Sequence, residues 1–167
     1  NYTGLFVCGA GNLGKDLDSS PTYPASYNLN NIITVGGMTN TYSLSVSSNS
    51  GYNSNYGKNT VDLFAPSAYI YTTTLNSGYD YFSGTSFAAP FVAGIASLIL
   101  SIEDNCDIKS TYNMSFTGKD LKYLICNSVS YCHSLRDYCI YEGFVNALNS
   151  LQSAISYYPI IGYEYYN

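Results

Sequence analysis

The sequence predicts an α/β fold in which a mainly parallel sheet packs against helices. The continuous apolar run at residues 5–10 is typical of a strand buried on both faces of a parallel sheet, and the mostly apolar residues 32–37 and 61–66 predict two further strands. Residues 86–100 are rich in Ala, Val, Ile and Leu, which predicts a buried helix. A chain of 167 residues has room for one domain with a real hydrophobic core.

The composition argues against two classes of partner. Charged residues make up 10% of the chain and the formal net charge is −5, which disfavours nucleic acid and an anionic membrane surface. Residues 81–102 carry almost no charge, but Gly, Pro and hydroxyl residues interrupt the first part of this segment. The remaining apolar part, residues 87–100, has the length of a core helix, so we expect no membrane span.

The first predicted strand is followed by a glycine-rich turn. Gly9, Gly11 and Gly14 match the spacing of the dinucleotide-binding fingerprint. A helix would have to follow Gly14 to receive a pyrophosphate, yet residues 15–21 have the composition of a turn. We therefore assign no nucleotide site to these glycines.

The other elements follow in order. Residues 39–59, rich in Ser, Asn, Gly and Tyr, predict an irregular segment before the third strand, and residues 69–73 alternate as a further strand does. Beyond the long helix, residues 118–126 have apolar side chains at helical spacing. We expect a loop bounded by cysteines at residues 131–141. We expect a last helix at residues 147–155.

Ser86 is the candidate nucleophile. Gly84 and Thr85 predict a turn, and Pro90 comes early enough to be tolerated near the start of a helix. The serine hydroxyl then lies at a helix N-terminus, where free N–H groups and the helix dipole favour an oxyanion. Taken alone, Ser86 would more often be the cap of a buried core helix, because capping serines are common.

The surrounding motif decides between these interpretations. Residues 84–94 read Gly-Thr-Ser-x-Ala-x-Pro-x-Val-x-Gly and resemble the nucleophile motif of the subtilisin-like serine proteases, the subtilases. The nucleophile elbow of the α/β-hydrolases would need glycine where Ala88 stands. The resemblance implies a three-layer subtilisin-like fold, represented here by its C-terminal half, and a serine endopeptidase that forms an acyl-enzyme on Ser86. We place this peptidase portion at residues 1–156, followed by a Tyr-rich tail at residues 157–167.

The resemblance extends to the end of the first strand. Residues 10–14 read Ala-Gly-Asn-Leu-Gly, similar to the family's Ala-Gly-Asn-x-Gly. This implies that the Asn12 amide and the Ser86 backbone N–H form the oxyanion hole, with Thr85 assisting. An amide suits this role because it offers an N–H to negative charge without titrating.

The same resemblance implies the substrate-binding surface. Gly9, Ala10 and Gly11 would line the pocket for the side chain that precedes the cut bond, because small residues let a ligand approach the backbone. Thr22 would lie near the base of this pocket, and Ser83 is assigned to the same surface.

Three further positions follow from the family pattern. Residues 23–27 resemble a Tyr-Pro-x-x-Tyr turn, which implies a cis bond at Pro24. Asp62 could be a catalytic carboxylate, but the resemblance implies a structural ion pair with Lys122. Phe87 replaces the methionine common after the nucleophile and should narrow the leaving-group side.

The acid and base of a catalytic triad are not found where the family has them. A subtilase triad runs Asp, His, Ser along the chain, whereas the single histidine, His133, follows Ser86. Either the chain is a piece of a longer protease, or it is a natural protein that has lost catalysis. The apolar parallel strand at residues 5–10 needs neighbouring strands on both sides. This favours the interpretation that the chain is a piece of a longer protease. We expect the chain alone to be largely inactive.

Five cysteines bear on the compartment. Cys8 lies in a predicted strand, and we expect a buried free thiol there. The other four cysteines are Cys106, Cys126, Cys132 and Cys139. Their spacing fits no common zinc site, so no metal is assigned. They can form two disulfides in any of three pairings. Disulfides, with glycosylation acceptor patterns at Asn1 and Asn113, favour the secretory pathway or the extracellular space.

The expected partners are a protein or peptide substrate and the missing N-terminal half of the domain, covalent or as a separate chain. The resemblance also allows a propeptide inhibitor and a structural calcium in the full-length domain, while no cofactor is certain. The alternative function is a noncatalytic, peptide-binding interaction module derived from a subtilase.

Overall fold

The computed structural model describes residues 3–45, 52–105 and 115–165. Its strands, in chain order, are β1 (Phe6–Gly9), β2 (Ile32–Met38), β3 (Leu63–Pro66), β4 (Ile70–Thr74), β5 (Gly78–Phe82), β6 (Ser130–Tyr131) and β7 (Gly143–Phe144). Its helices are α1 (Thr85–Asn105), α2 (Gly118–Cys126) and α3 (Ala147–Tyr165).

Five strands form one sheet in the order β1-β2-β3-β7-β6. β1, β2, β3 and β7 run parallel, and β6 pairs antiparallel with β7. β4 and β5 form a separate antiparallel hairpin that leads directly into α1. The predicted α/β architecture with a mainly parallel sheet is confirmed.

The sheet is covered on both faces. Ile33, Val35 and Leu63 project to one face, where they pack with Val92 and Ile99 of α1 and with α2 and α3. The alternate residues project to the other face, where Phe64 packs with Leu17, Val61 and Leu135. These two clusters give the three layers that the resemblance implies.

β1 differs from its prediction. All seven residues of β2 are buried, but the four residues of β1 are only partly covered, and Phe6 is 50% exposed. The reason is the strand order, because β1 is hydrogen-bonded to β2 alone and its other edge carries no strand among the described residues. The expectation of burial on both faces is therefore wrong for β1.

Helix α1 is longer and less covered than predicted. Val92, Ile95 and Ile99 are buried, whereas Phe91 and Leu98 lie on an exposed side. By length and composition, Thr85–Ile102 would also qualify as a candidate membrane span, with a mean hydropathy of 1.8 and a third of it buried. Its packing on β1, β2 and β3 makes it a core helix with one open side.

Other boundaries shift by a few residues. β3 begins at Leu63, two residues later than the apolar run, and α3 extends past residue 155 to Tyr165. Pro90 is the sixth residue of α1 and so lies beyond its first turn. The bond it cannot donate would reach the carbonyl of Ser86, which lies at the exposed helix start where water can replace it.

Candidate active site

The carboxyl end of β1 meets the first residue of α1. Ala10 continues the pairing of β1, since its N–H donates to the Val35 carbonyl at 2.9 Å. A Cβ added at Gly9 would lie 3.0 Å from both the carbonyl oxygen and the Oγ1 of Thr85. Only a residue without a side chain allows this approach, so the glycine brings the strand end against the helix start.

Asn12 is fixed to Thr85 by its amide oxygen. The Thr85 backbone N–H donates to Asn12 Oδ1 at 2.9 Å, and the Thr85 hydroxyl donates to the same oxygen at 3.0 Å. Since Oδ1 is occupied as an acceptor, the Nδ2 group is the part of the amide left to donate. A Cβ at Gly84 would lie 3.5 Å from Nδ2, so the amide nitrogen faces the turn that precedes Ser86.

Ser86 is the second residue of α1, and its side chain is exposed. The first N–H groups of a helix have no partner inside the helix. Here the Thr85 N–H donates to Asn12 and the Phe87 N–H donates to the Gly84 carbonyl at 2.9 Å. Within the described part of the chain, nothing accepts from the Ser86 N–H. A free N–H and the Asn12 Nδ2 group thus flank the same helix start.

The Thr85 hydroxyl is committed to the loop of Asn12. Thr85 is buried, and its Oγ1 accepts from the Gly11 N–H at 3.0 Å while its proton goes to Asn12 Oδ1. The resemblance implies that Thr85 assists the oxyanion. In this geometry it acts on the orientation of Asn12.

Asn55 is the residue of this region to which the sequence assigns no role. Its Oδ1 accepts from the N–H groups of Leu13 and Lys15 at 3.0 and 2.9 Å, and its Nδ2 donates to the Ala10 carbonyl at 2.8 Å. It is 2% exposed. The signal in the sequence is weak. Residues 54–57, Ser-Asn-Tyr-Gly, resemble a turn that the subtilases also use, but Asn55 lies 40 to 45 residues from the Lys15 and Ala10 groups it binds.

The predicted pocket wall leads up to this junction, and Ala10 within it is fully buried. Thr22 lies elsewhere, in an exposed turn where its N–H donates to Ser26 Oγ at 2.9 Å. No described hydrogen bond joins Thr22 to Asn12, Thr85 or Ser86, so its place at the base of the pocket stays a prediction. The same turn contains the cis Tyr23–Pro24 bond, which confirms that prediction.

Ser83 and Phe87 lie on either side of the helix start. The Ser83 hydroxyl accepts from the Tyr69 N–H at 3.0 Å and so ties together the two ends of the hairpin. The ring of Phe87 stacks on Phe82, with centroids 5.8 Å apart and planes 19° apart. An aromatic wall thus stands beside Ser86, on the side formed by the hairpin.

Asp62 forms the predicted structural pair. Its Oδ1 lies 2.9 Å from Lys122 Nζ, and its Oδ2 accepts from the Thr34 N–H at 2.7 Å. Burial raises the pKa of the Asp62 carboxyl, while the Lys122 ammonium and the Thr34 N–H act in the opposite direction. The pair joins β2, β3 and α2, and it confirms the ion-pair interpretation of Asp62.

His133 belongs to a different part of the molecule. Its Nδ1 lies 3.5 Å from the Tyr131 hydroxyl, in a loop whose Leu135 and Cys139 pack on the sheet face opposite α1. The described residues give it no contact with Ser86.

The cysteines correct the disulfide prediction. Each of the three pairings requires a bond between two of Cys126, Cys132 and Cys139, and all three of these thiols are free. Cys126 packs among the helices, whereas Cys139 packs on the other sheet face, so the layers separate them. Cys106, Asn1 and Asn113 lie outside the described residues. Cys8 is a free thiol, as predicted, but it is only half-buried because it lies in the edge strand β1.

No metal centre is evident in the described ranges 3–45, 52–105 and 115–165. Within them, no three His, Cys, Asp or Glu side chains are grouped so that they could hold an ion. Among the described residues, the polar groups at this helix start are the Ser86 hydroxyl, the Asn12 side-chain amide and backbone N–H groups.

Proteins with similar sequences are subtilisin-like proteases. Subtilisin-like protease 1 of Plasmodium berghei (strain Anka) is 34% identical over 147 residues, which cover 84% of this chain and 22% of that protein. Subtilisin-like protease 2 of Plasmodium falciparum (isolate 3D7) is 35% identical over 98 residues, which cover 59% of this chain and 7% of that protein. The chain thus spans a small share of these relatives.

Solved structures agree on the fold. The prenylagaramide maturation protease PagA superposes with a TM-score of 0.66 at 25% identity, covering 90% of this chain and 50% of that chain. A chain of the subtilase cytotoxin SubAB superposes with a TM-score of 0.73 at 23% identity, covering 94% of this chain and 51% of that chain. The chain spans about half the length of both structures.

The model of the subtilase family, a family of peptidases, matches residues 3–153, which include β1, the Asn12 turn, α1 and the start of α3. Together with the relatives and the shared fold, this match shows that the chain belongs to the subtilase family.

Proposed function

We propose that the chain supplies the nucleophile and the oxyanion hole of a subtilisin-like serine endopeptidase. The observation that carries the proposal is the pair of hydrogen bonds from Thr85 to Asn12 Oδ1, at 2.9 and 3.0 Å. They turn the Asn12 Nδ2 group toward the helix start, where the Ser86 N–H and hydroxyl are exposed. In this proposal, the two N–H donors and the Ser86 hydroxyl act on the same peptide carbonyl.

The reaction follows from these groups. Ser86 Oγ attacks the peptide carbonyl while its proton passes to a base, and the carbonyl oxygen becomes an oxyanion held by Asn12 Nδ2 and the Ser86 N–H. The C–N bond then breaks as the amine leaves with a proton, and the acyl group remains on Ser86. Water hydrolyses this ester and returns the proton to the hydroxyl. Thr85 takes no proton and holds Asn12 in place.

We propose that the catalytic His and Asp come from polypeptide outside this chain. His133 contacts Tyr131 in a loop on the far face of the sheet, which argues against it as the base. The half-length match to the solved proteases supports a second half, covalently continuous or separate. The proposal also includes a propeptide inhibitor and a structural calcium in the complete domain. It includes a secretory route as well, although the predicted disulfides no longer support that route.

The open side of the molecule is the surface we propose for that second half. It combines the edge of β1 that pairs with no strand among the described residues, where Phe6 is 50% exposed, with the exposed side of α1, where Phe91 and Leu98 lie. A Cβ added at Gly94 on this helix would meet nothing within 4 Å. The described residues therefore give no packing reason for a glycine there, and close approach of another segment supplies one.

Fluorophosphonate labelling tests the proposed function. We expect the full-length protein that carries this chain to be labelled on Ser86 and to hydrolyse peptides, and Ser86→Ala to abolish both. Loss of the triad base lowers turnover by roughly 10⁶-fold, so the isolated chain should label very slowly. Equal rates for the two proteins would contradict an external base.

The alternative is a noncatalytic module that binds peptide along the pocket wall. What favours it is the lack of an imidazole next to Ser86 among the described residues. A full-length protein that binds peptide but neither hydrolyses it nor reacts with fluorophosphonate would establish this alternative.

A further inference from the structure

Asn55 lies under the turn that carries Asn12. Its side-chain oxygen accepts from Leu13 N–H at 3.0 Å and from Lys15 N–H at 2.9 Å, and its Nδ2 donates to the Ala10 carbonyl at 2.8 Å. Its own N–H donates to the Gly11 carbonyl at 2.8 Å. The residues on both sides of Asn12 are thus bound to this one buried asparagine.

The match between Asn55 and the turn is specific for an amide. Two N–H groups need a shared acceptor and one carbonyl needs a donor, and a primary amide offers both. An aspartate would keep the acceptor but would place negative charge against the Ala10 carbonyl. Gly11 has a φ of +103°, and a Cβ there would lie 2.5 Å from Asn55 Nδ2, so this glycine makes room for the contact.

Among the described residues, Asn55 forms no hydrogen bond to Ser86 or Asn12, but a chain of hydrogen bonds connects it to them. The turn that Asn55 holds is joined to α1 through Gly11 N–H to Thr85 Oγ1 and through the two bonds from Thr85 to Asn12 Oδ1. Asn12 therefore rests between two supports, Thr85 on the helix side and Asn55 beneath the turn. Removing either one frees the amide to leave the helix start.

We infer that Asn55 is a positioning residue for the oxyanion hole, acting through Asn12. The inference rests on the proposed function, because positioning of Asn12 matters for rate only if Asn12 stabilises an oxyanion. A residue that only stabilised the fold would lower the unfolding temperature and leave turnover per active site unchanged. A positioning residue lowers kcat in a way that depends on Asn12.

A double-mutant cycle in the full-length protein tests this inference. Peptide hydrolysis is measured for N12A, N55A and N12A/N55A, and active sites are counted by complete fluorophosphonate labelling so that kcat refers to folded enzyme. Removal of one oxyanion donor costs roughly 10²–10³ in kcat, and we expect that range for N12A. We expect about a tenfold loss for N55A, and less than about a twofold further loss when N55A is added to N12A, since the two residues act as one unit.

Two further variants keep the test decisive. N55D is nearly isosteric, so it stands in if N55A does not fold, and it should show the same dependence on Asn12. N146A is the matched control, because Asn146 also holds local structure through its amide, donating to Ser130 Oγ at 2.8 Å and accepting from the Asn149 N–H at 3.0 Å. We expect it to lower the unfolding temperature and leave kcat per active site unchanged.

The outcomes separate the two proposals. If the unmodified full-length protein does not hydrolyse peptides, the proposed function fails, and the role of Asn55 fails with it. If that protein is active but N55A keeps wild-type kcat, or its loss multiplies with that of N12A, the inference about Asn55 alone is overturned.

Discussion

The orientation of one amide decides what the candidate site can do. Asn12 Oδ1 receives both the backbone N–H and the hydroxyl of Thr85, so the end of the amide that faces Ser86 is a donor. The sequence predicts Asn12, Thr85 and Ser86 from two short motifs. It does not predict Asn55, because a hydrogen bond between distant segments leaves no periodic pattern in either.

Removal of the Thr85 hydroxyl should lower both turnover and stability. In Thr85→Val, the Gly11 N–H loses its acceptor and Asn12 Oδ1 loses one of two donors. We expect about a tenfold loss of kcat in the full-length protein, with an unfolding cost of about 1 kcal/mol for the lost hydrogen bond of the partly buried Gly11 N–H. Steady-state hydrolysis and thermal unfolding measure the two effects. Thr85→Ser keeps the hydroxyl and should restore most of the rate; a serine variant as slow as valine would contradict the hydrogen-bonding role.

Thiol reactivity should follow burial. Burial raises the pKa of Cys139 to about 11 and raises the pKa of Cys126 well above its ordinary value, and both side chains are fully buried. Since the thiolate is the reactive form, we expect neither to be alkylated by iodoacetamide at about pH 8 in the native protein, while partly exposed Cys132 reacts. Mass spectrometry before and after denaturation checks this. A disulfide between any two of these three would refute the free-thiol arrangement.

At the scale of elements, the Asp62–Lys122 pair links the sheet to α2. Three segments meet at the Asp62 carboxylate, whose neighbours are Lys122 Nζ at 2.9 Å and the Thr34 N–H at 2.7 Å. The pairing follows from the family pattern alone, since no rule of spacing joins residues so far apart in the chain. The partial exposure of β1 could not be read from its apolar residues, because burial depends on which strands become neighbours.

Breaking this pair should cost stability in a pH-dependent way. Lys122→Met leaves the Asp62 carboxylate buried without its cation, and we expect a loss of about 3 kcal/mol at pH 7. Without Lys122, burial raises the folded-state pKa of Asp62 further above its unfolded value. The folded variant then binds the proton more tightly, so its deficit relative to the wild type should shrink as the pH falls below that raised pKa.

Denaturant unfolding at neutral and at mildly acidic pH measures this difference. Lys58→Met is the matched control, because the Lys58–Glu142 pair is also short, at 2.6 Å, but its two side chains are 42% and 47% exposed. Exposed pairs contribute about 0–1 kcal/mol, so the control should change stability little at either pH. A Lys122→Met protein as stable as the wild type at neutral pH would count against the structural role of the pair.

At the scale of the whole molecule, the open side of β1 and α1 matters most. The family match and the fold similarity could be anticipated from the motifs, but the geometry of this surface could not. It depends on which helix side the sheet covers, and the apolar residues of α1 run all round the helix. Gly94 marks the side that the described chain leaves uncovered.

Substitutions at Gly94 should separate folding from assembly. Among the described residues a side chain at residue 94 meets nothing within 4 Å, so Gly94→Ala should raise the stability of the chain by about 0.5–1 kcal/mol through helix propensity. Gly94→Leu should fold as well as the wild type but prevent docking of the second half, measured as lost recovery of activity when the halves are combined. Gln152→Leu, on an exposed position of α3, is the control for added bulk. Undiminished recovery with Gly94→Leu would place the second half elsewhere.

The two hydrogen bonds that hold Asn12 also determine what deamidation of this residue would do to the protein. Deamidation replaces the amide nitrogen by oxygen and leaves in place the oxygen that Thr85 binds. A deamidated molecule would keep its shape and its heat resistance and yet would meet a nascent negative charge with a second one. Old preparations would then contain folded but inactive molecules. Mass spectrometry would detect them, whereas thermal unfolding would not.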